Sequence, residues 1–201
     1  MSKYFVLDCH PPLEAEFYNI LVPYPANDRR WEAGVLFSVQ DRREGFRPPT
    51  EPIEIQTEPE IEPPPRIYAE LLWVPIPLMS RRLTAALQAA GVDNLQTYET
   101  RIETTLGETP PPADHYLAFN IVGLVAAADL QKSMTNPDVT ETMNSMDFHT
   151  LSIDEAKTQE LLLFRLAENI TAVLVHERVK LAIEAAGITN LTWFAPEEWA
   201  G

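Results

Sequence analysis

Apolar and polar positions along this chain switch between two periods. Tyr4 to Leu7 (YFVL) is a short aromatic and β-branched run that stops before His10-Pro11-Pro12, as a strand does. Glu16 to Val22 (EFYNILV) makes a second short element closed by Pro23 and Pro25, and Gly34 to Val39 (GVLFSV) reads as a further strand. In SRRLTAALQAA the spacing becomes helical, with Leu83, Ala86, Leu87 and Ala90 on one face. Ser80 stands where an N-cap belongs, and Gly91 can supply the left-handed residue that ends the helix. Leu95 to Ile102 returns to a strand. Tyr116 to Leu124 (YLAFNIVGL) reads as a buried strand or turn, Ala126 to Met134 as a short helix, and Asn136-Pro137-Asp138 as a turn. Leu161 to Leu166 (LLLFRL) is a core segment too short for periodicity to classify.

The helical pattern occurs twice. RRLTAALQAAGVDNLQTYE from Arg81 and ERVKLAIEAAGITNLTWFA from Glu177 align with a constant offset of 96 residues. Val179, Ala182, Ile183 and Ala186 form the apolar face of the second copy. Each copy reads as a helix, a glycine stop and a short strand carrying an aromatic, and two such units can pack on a shared sheet. The expected class is therefore α+β: a mixed or antiparallel sheet with a few short helices, including two helix–Gly–strand units.

Pro48 to Pro65 differs from its surroundings, with seven prolines, five glutamates and no basic residue. Such a segment is extended and cannot be helical. It divides the chain into N-terminal strands over 1–47, an extended segment over 48–65 and a main domain over 66–201.

Charge narrows the functional classes. The chain has 30 acidic and 15 basic residues, a formal net charge of -15. A field of that sign repels phosphate backbones and steers basic proteins inward, so neither nucleic acid nor membrane is expected as a partner. Acidic residues crowd between Glu103 and Glu160, where Lys132 and Lys157 are the only lysines. Asp114, Asp129, Asp138, Glu141, Asp147, Asp154 and Glu155 of that stretch are candidate partner-binding residues. Trp199, in the tail EEWAG, is added as the tryptophan most plausibly exposed.

Catalytic patterns are scarce. The four histidines form no HExxH or HxH motif. Asp8 with His10 and Asp147 with His149 are two-residue pairs, short of the three or four ligands that zinc needs. Cys9 and His10 would point to opposite faces of a strand, and a lone cysteine forms no internal disulfide. No cofactor fingerprint occurs, so no catalytic, cofactor-binding or metal residue is assigned. The N-terminus does not look like a signal peptide, and the longest apolar run, Leu117 to Ala128, is shorter than the roughly 20 residues of a membrane span. Cytoplasmic placement is the expectation.

Several stretches, taken in order, carry a family resemblance: KYFVLD, LMSRRLTAALQAAG, YLAFNIVGLVAAAD, LSID at Leu151, LLLFRL and VHERVKLAIEAAGITNLTWFAP. Through them the chain resembles the eleventh family of bacterial immunity proteins of polymorphic-toxin systems, formerly a domain of unknown function with a myxobacterial namesake. Tyr4, Asn120, Phe164, Arg165, Gly187 and Phe194 match the family pattern and look structural. The proline-glutamate segment and the AAAD after Leu124 depart from it. The resemblance implies a protein that binds a cognate toxin and occludes it without turnover, encoded beside a toxin delivered by secretion or contact, as in type VI secretion. A basic toxin would suit the acidic surface. The competing readings are a scaffold module with another partner and a hydrolytic enzyme using carboxylates and histidines.

Overall fold

The computed structural model describes residues 3–8, 18–21, 31–38, 48–59, 69–73, 76–104, 114–136 and 145–201. In chain order the strands begin with β1 (Tyr4–Asp8), β2 (Tyr18–Leu21), β3 (Ile53–Pro59), β4 (Leu71–Leu72) and β5 (Leu78–Ser80). Helix α1 (Arg81–Ala89) precedes β6 (Leu95–Thr104), β7 (Tyr116–Ile121), β8 (Leu124–Val125), β9 (Met134–Thr135) and β10 (Phe148–Thr150). Then come β11 (Leu163–Leu166), β12 (Val173–His176), α2 (Glu177–Ala185) and β13 (Thr192–Phe194). Short 3-10 turns lie at Glu155–Lys157 and Pro196–Glu198.

The strands build a five-stranded sheet in the order β13-β1-β12-β11-β8 and a six-stranded sheet in the order β2-β3-β6-β7-β5-β4, with β10-β9 as a separate pair. Pairing is mostly antiparallel, while β11–β8 and β3–β6 are parallel. The architecture is α+β with mixed sheets.

Three apolar clusters follow from strand alternation. Leu163, Val173 and Val175 of the first sheet meet Met79, Phe119 and Ile121 of the second, and both helices close over this shared core with Leu83, Leu87, Val179 and Ile183. The opposite face of the first sheet (Tyr4, Val6, Val125, Phe164, Leu166, Leu174) is covered by Phe148, Leu151 and Trp199. The opposite face of the second (Ile53, Ile55, Leu78, Ile102, Ala118) is covered by Trp31 and Phe37. Strand β7 is buried along its whole length because both of its faces meet a core.

The helix signals act as their chemistry dictates. The Ser80 hydroxyl accepts from the Leu83 N–H at 2.9 Å, and Gly91 takes φ +96°. On α2 the cap is His176, whose Nδ1 accepts from the Arg178 N–H at 3.1 Å, and Gly187 takes φ +76°. The two helices pack on each other, but the strands after them part company: β6 belongs to the second sheet and β13 to the first. The shared sheet expected for the two units does not form. Ala186, placed on the apolar face of the second unit, is exposed.

Two elements differ from their sequence pattern. Residues 34–38 form no strand: their backbone crosses the face of the six-stranded sheet, where the Gly34 carbonyl accepts from the Gly123 N–H at 2.8 Å and side chains hold the residues after it. The Gln96 amide accepts from the Phe37 N–H at 2.7 Å and donates to the Phe37 carbonyl at 3.0 Å, and the Asn120 amide donates to the Val35 carbonyl at 2.7 Å. Ala126 to Met134 forms no helix. The Asp129 carboxylate accepts from the Gln131 N–H at 3.2 Å and its carbonyl accepts from the Ser133 N–H at 2.8 Å, so local side-chain bonding closes a turn first. Of the Asn136-Pro137-Asp138 turn, Pro137 and Asp138 lie outside the described residues, as do Cys9 and His10.

Candidate functional site

The acidic stretch folds into two loops stitched side by side. The Asp129 N–H donates to the Ser152 carbonyl and the Asp154 N–H to the Ala127 carbonyl, both at 2.8 Å, around a bridge between Ala128 and Ile153. The Ser152 N–H donates to the Ser133 hydroxyl at 2.9 Å. Beside this seam opens a groove of about 500 Å³ lined by Lys132, Ser152, Ile153, Glu155, Pro196 and Glu197, among others.

Three carboxylates at this seam already have lysine partners. Lys132 Nζ lies 2.6 Å from Asp129, Lys157 Nζ 3.5 Å from Asp154, and Lys3 Nζ 3.9 Å from Glu155. Hydrogen bonding within the first pair holds the Asp129 carboxyl below its ordinary range and Lys132 above its own. Solvent screens pairs this exposed, so each contributes little and a cation from another molecule exchanges with them at little cost. Asp154 also caps the 3-10 turn by accepting from the Ala156 N–H at 3.2 Å.

The next turn projects a further carboxylate. Gln159 and Glu160 have φ of 55° and 58°, both left-handed and neither glycine. The Tyr4 hydroxyl lies under them, 2.9 Å from the Leu161 carbonyl and 3.0 Å from Thr158 Oγ1. Apolar side chains flank the carboxylates: Leu130 and Met134 are 54% and 62% exposed, and Met134 pairs across strands with Thr150 of the groove. Apolar anchors inside a charged rim are the usual composition of a protein-binding face. A second exposed apolar group, Val35, Leu36 and Leu124, sits where the Gly34 backbone runs against Leu124.

Of the residues singled out in the sequence, Asp129, Asp154 and Glu155 come together here. Asp147 lies just before β10, its carboxylate accepting from the Asn136 amide at 3.2 Å. Asp114 is elsewhere, beside Arg81 and Glu99 on the six-stranded sheet. Asp138 and Glu141 lie outside the described residues. Trp199 is 8% exposed, against the expectation of an exposed tryptophan. The Gly201 carbonyl accepts from the Phe148 N–H at 2.7 Å, and this pairing folds the tail back and presses Trp199 into the core. Leu130, Met134 and Glu197 are not singled out by the sequence, and Glu160 enters it only as the end of the acidic stretch. Leu130 and Met134 fall in the segment expected to be a helix, and a carboxylate on a left-handed turn leaves no local signature.

Of the two aspartate–histidine pairs, the one at Asp8 lies partly outside the described residues, since His10 does. His149 is exposed, and Asp147 is occupied with Asn136. Among the described residues no group of three or more His, Cys, Asp or Glu side chains is placed to hold a metal. Among them, too, no helix is long and apolar enough to cross a membrane.

A comparison with curated proteins returns no match. The family model described as the immunity protein family Imm11 matches residues 4–196, from the first strand to the last 3-10 turn. That span takes in both sheets, both helices and the groove except for Glu197, and the chain belongs to the Imm11 family of immunity proteins.

Proposed function

We propose that this immunity protein neutralises its cognate toxin by stoichiometric occlusion in the cytoplasm, docking through the face formed by the 127–133 and 151–160 loops and the groove beside them. The observation that carries the reading is the meeting of exposed Leu130 and Met134 with Asp129, Asp154, Glu155, Glu160 and Glu197 on adjoining loops. The partner that fits is a basic protein with an apolar patch, for which the net charge of -15 supplies steering. A toxin delivered by type VI secretion and acting on a polyanion has that character. Neutralisation by binding needs no turnover.

The test is a pull-down against the product of the adjacent gene, with affinity measured at low and high salt. Replacing Glu155, Glu160 and Glu197 by Lys weakens binding about tenfold or more at low salt, and the deficit shrinks at high salt. Leu130→Asp and Met134→Asp weaken binding at every salt concentration. Affinity untouched by both sets removes this face from the interface. Salt-indifferent binding lost on Leu36→Asp moves the interface to Val35, Leu36 and Leu124. Absence of binding leaves the scaffold and hydrolase readings.

A further inference from the structure

Arg165 is only 2% exposed and projects from β11 on the same side as Leu163, towards the core shared by the two sheets. Burial lowers its pKa to about 10, which leaves the guanidinium cationic at neutral pH. A buried cation is costly unless each donor meets an acceptor. Arg165 is only partly provided for. Its Nη1 donates to the Ile170 carbonyl at 2.8 Å, and its planar face lies 5.0 Å from the Trp73 ring centroid. Nε and Nη2 are buried and meet no acceptor among the described residues.

Those two nitrogens share one edge of the guanidinium. Their N–H bonds run parallel, at the spacing of the two oxygens of a carboxylate. One terminal nitrogen, Nη1, is already used, the face is stacked, and the edge suited to a bidentate carboxylate has no acceptor among the described residues. Glu32 is half-buried on the neighbouring 31–38 segment, and its field acts on Arg165 without forming an ion pair.

We propose that the Nε/Nη2 edge of Arg165 is a binding site for a single carboxylate, supplied either by a small carboxylate from solution or by the Glu32 side chain turning inward. The Ile170 carbonyl and Trp73 fix the plane of the fork in advance, so the site needs no rearrangement of the arginine. It is independent of the toxin-binding face, since Arg165 lies within the core.

Formate is the probe, titrated against chloride at constant ionic strength while Tm is recorded for the wild type, Glu32→Gln and Arg165→Lys. The lysine variant keeps the charge and lacks the fork. The Arg165 Nε–H resonance, followed by nitrogen-edited NMR in the wild type and Glu32→Gln, gives a readout that survives if Arg165→Lys does not fold. A saturable rise in Tm and a downfield Nε–H shift in the wild type, absent from Arg165→Lys, establish a solution carboxylate as the occupant. The same response confined to Glu32→Gln, with the wild-type resonance already downfield, establishes Glu32. The proposal is overturned if formate moves neither Tm nor the resonance in either protein and the two resonances coincide, or if Arg165→Lys responds to formate as the wild type does.

Discussion

Tyr4→Phe tests how the acidic turn at Gln159–Glu160 is held in place. Both residues are left-handed, and the Leu161 N–H returns to the Thr158 carbonyl at 3.1 Å, closing a mirror-image turn that favours Asn and Gly. Each non-glycine residue in this conformation costs about 1–2 kcal/mol. The Tyr4 hydroxyl offsets part of that by bracketing the turn, bonding at one end to Leu161 and at the other to Thr158. Burial, reinforced by the Glu155 and Glu160 carboxylates, outweighs the Thr158 bond and raises its ionisation above the ordinary tyrosine value, so it remains a donor at neutral pH. Phenylalanine keeps the ring edge-on to Phe164 and His176 and opens no cavity. What is lost is the hydrogen bonding, and the half-buried Leu161 carbonyl loses its partner, at a cost of about 1–2 kcal/mol. In urea denaturation the midpoint falls while the slope is unchanged. Hydrogen exchange at the Leu161 amide accelerates with it. A companion variant, Glu160→Gly, relieves strain and gains roughly 0.5–1 kcal/mol, while lowering the salt-sensitive part of toxin affinity. An unchanged urea midpoint and unchanged Leu161 exchange in Tyr4→Phe would refute the clamp.

Gln96→Ala removes both hydrogen bonds to Phe37 and costs about 2 kcal/mol; the Phe37 amide exchanges faster, and unaltered protection counts against the side-chain ladder. His176 has a lowered folded pKa, chiefly from burial and then from Arg178 and Lys3, which outweigh Glu177 and Glu155. Its protonation is harder in the fold than in the unfolded chain. Its contribution to stability is therefore complete above the ordinary histidine value of about 6.5 and falls as pH drops through that value towards the lowered one. His115, lowered mainly by burial, acts in the same direction. His176→Asn keeps a capping acceptor without the titration, so unfolding measured across this window becomes less pH-dependent; an unchanged slope removes His176 as a cause. Trp199→Ala costs about 3–5 kcal/mol by thermal or urea unfolding, and a loss under 1 kcal/mol contradicts its core position.

What the sequence made legible is what short windows encode. Helix α1 was readable because its apolar face, the Ser80 cap and the Gly91 stop lie within a dozen residues. Strands β1, β6 and β7 were readable because each alternates or runs apolar against a core. Residues 34–38 carry the same pattern, but their partners are amides on Gln96, 59 residues away from Phe37, and on Asn120, 85 away from Val35. No window contains that pairing. Charge behaved in the same way. The count between Glu103 and Glu160 located a crowding of carboxylates, yet it could not show that Glu155 is met by Lys3, from 152 residues upstream, or that Asp114 faces Arg81 at the start of α1. Exposure was misjudged in both directions for one reason. Trp199, between glutamates and a glycine, is drawn inward by a backbone pairing with Phe148, while Leu130 and Met134 stay exposed once the Asp129 turn replaces a helix. A binding surface consists of what folding leaves unpaired, and that remainder is fixed only after every long-range partner has been assigned. The family is therefore readable from segments spread along the chain, whereas the proposed docking face depends on contacts that no single segment holds.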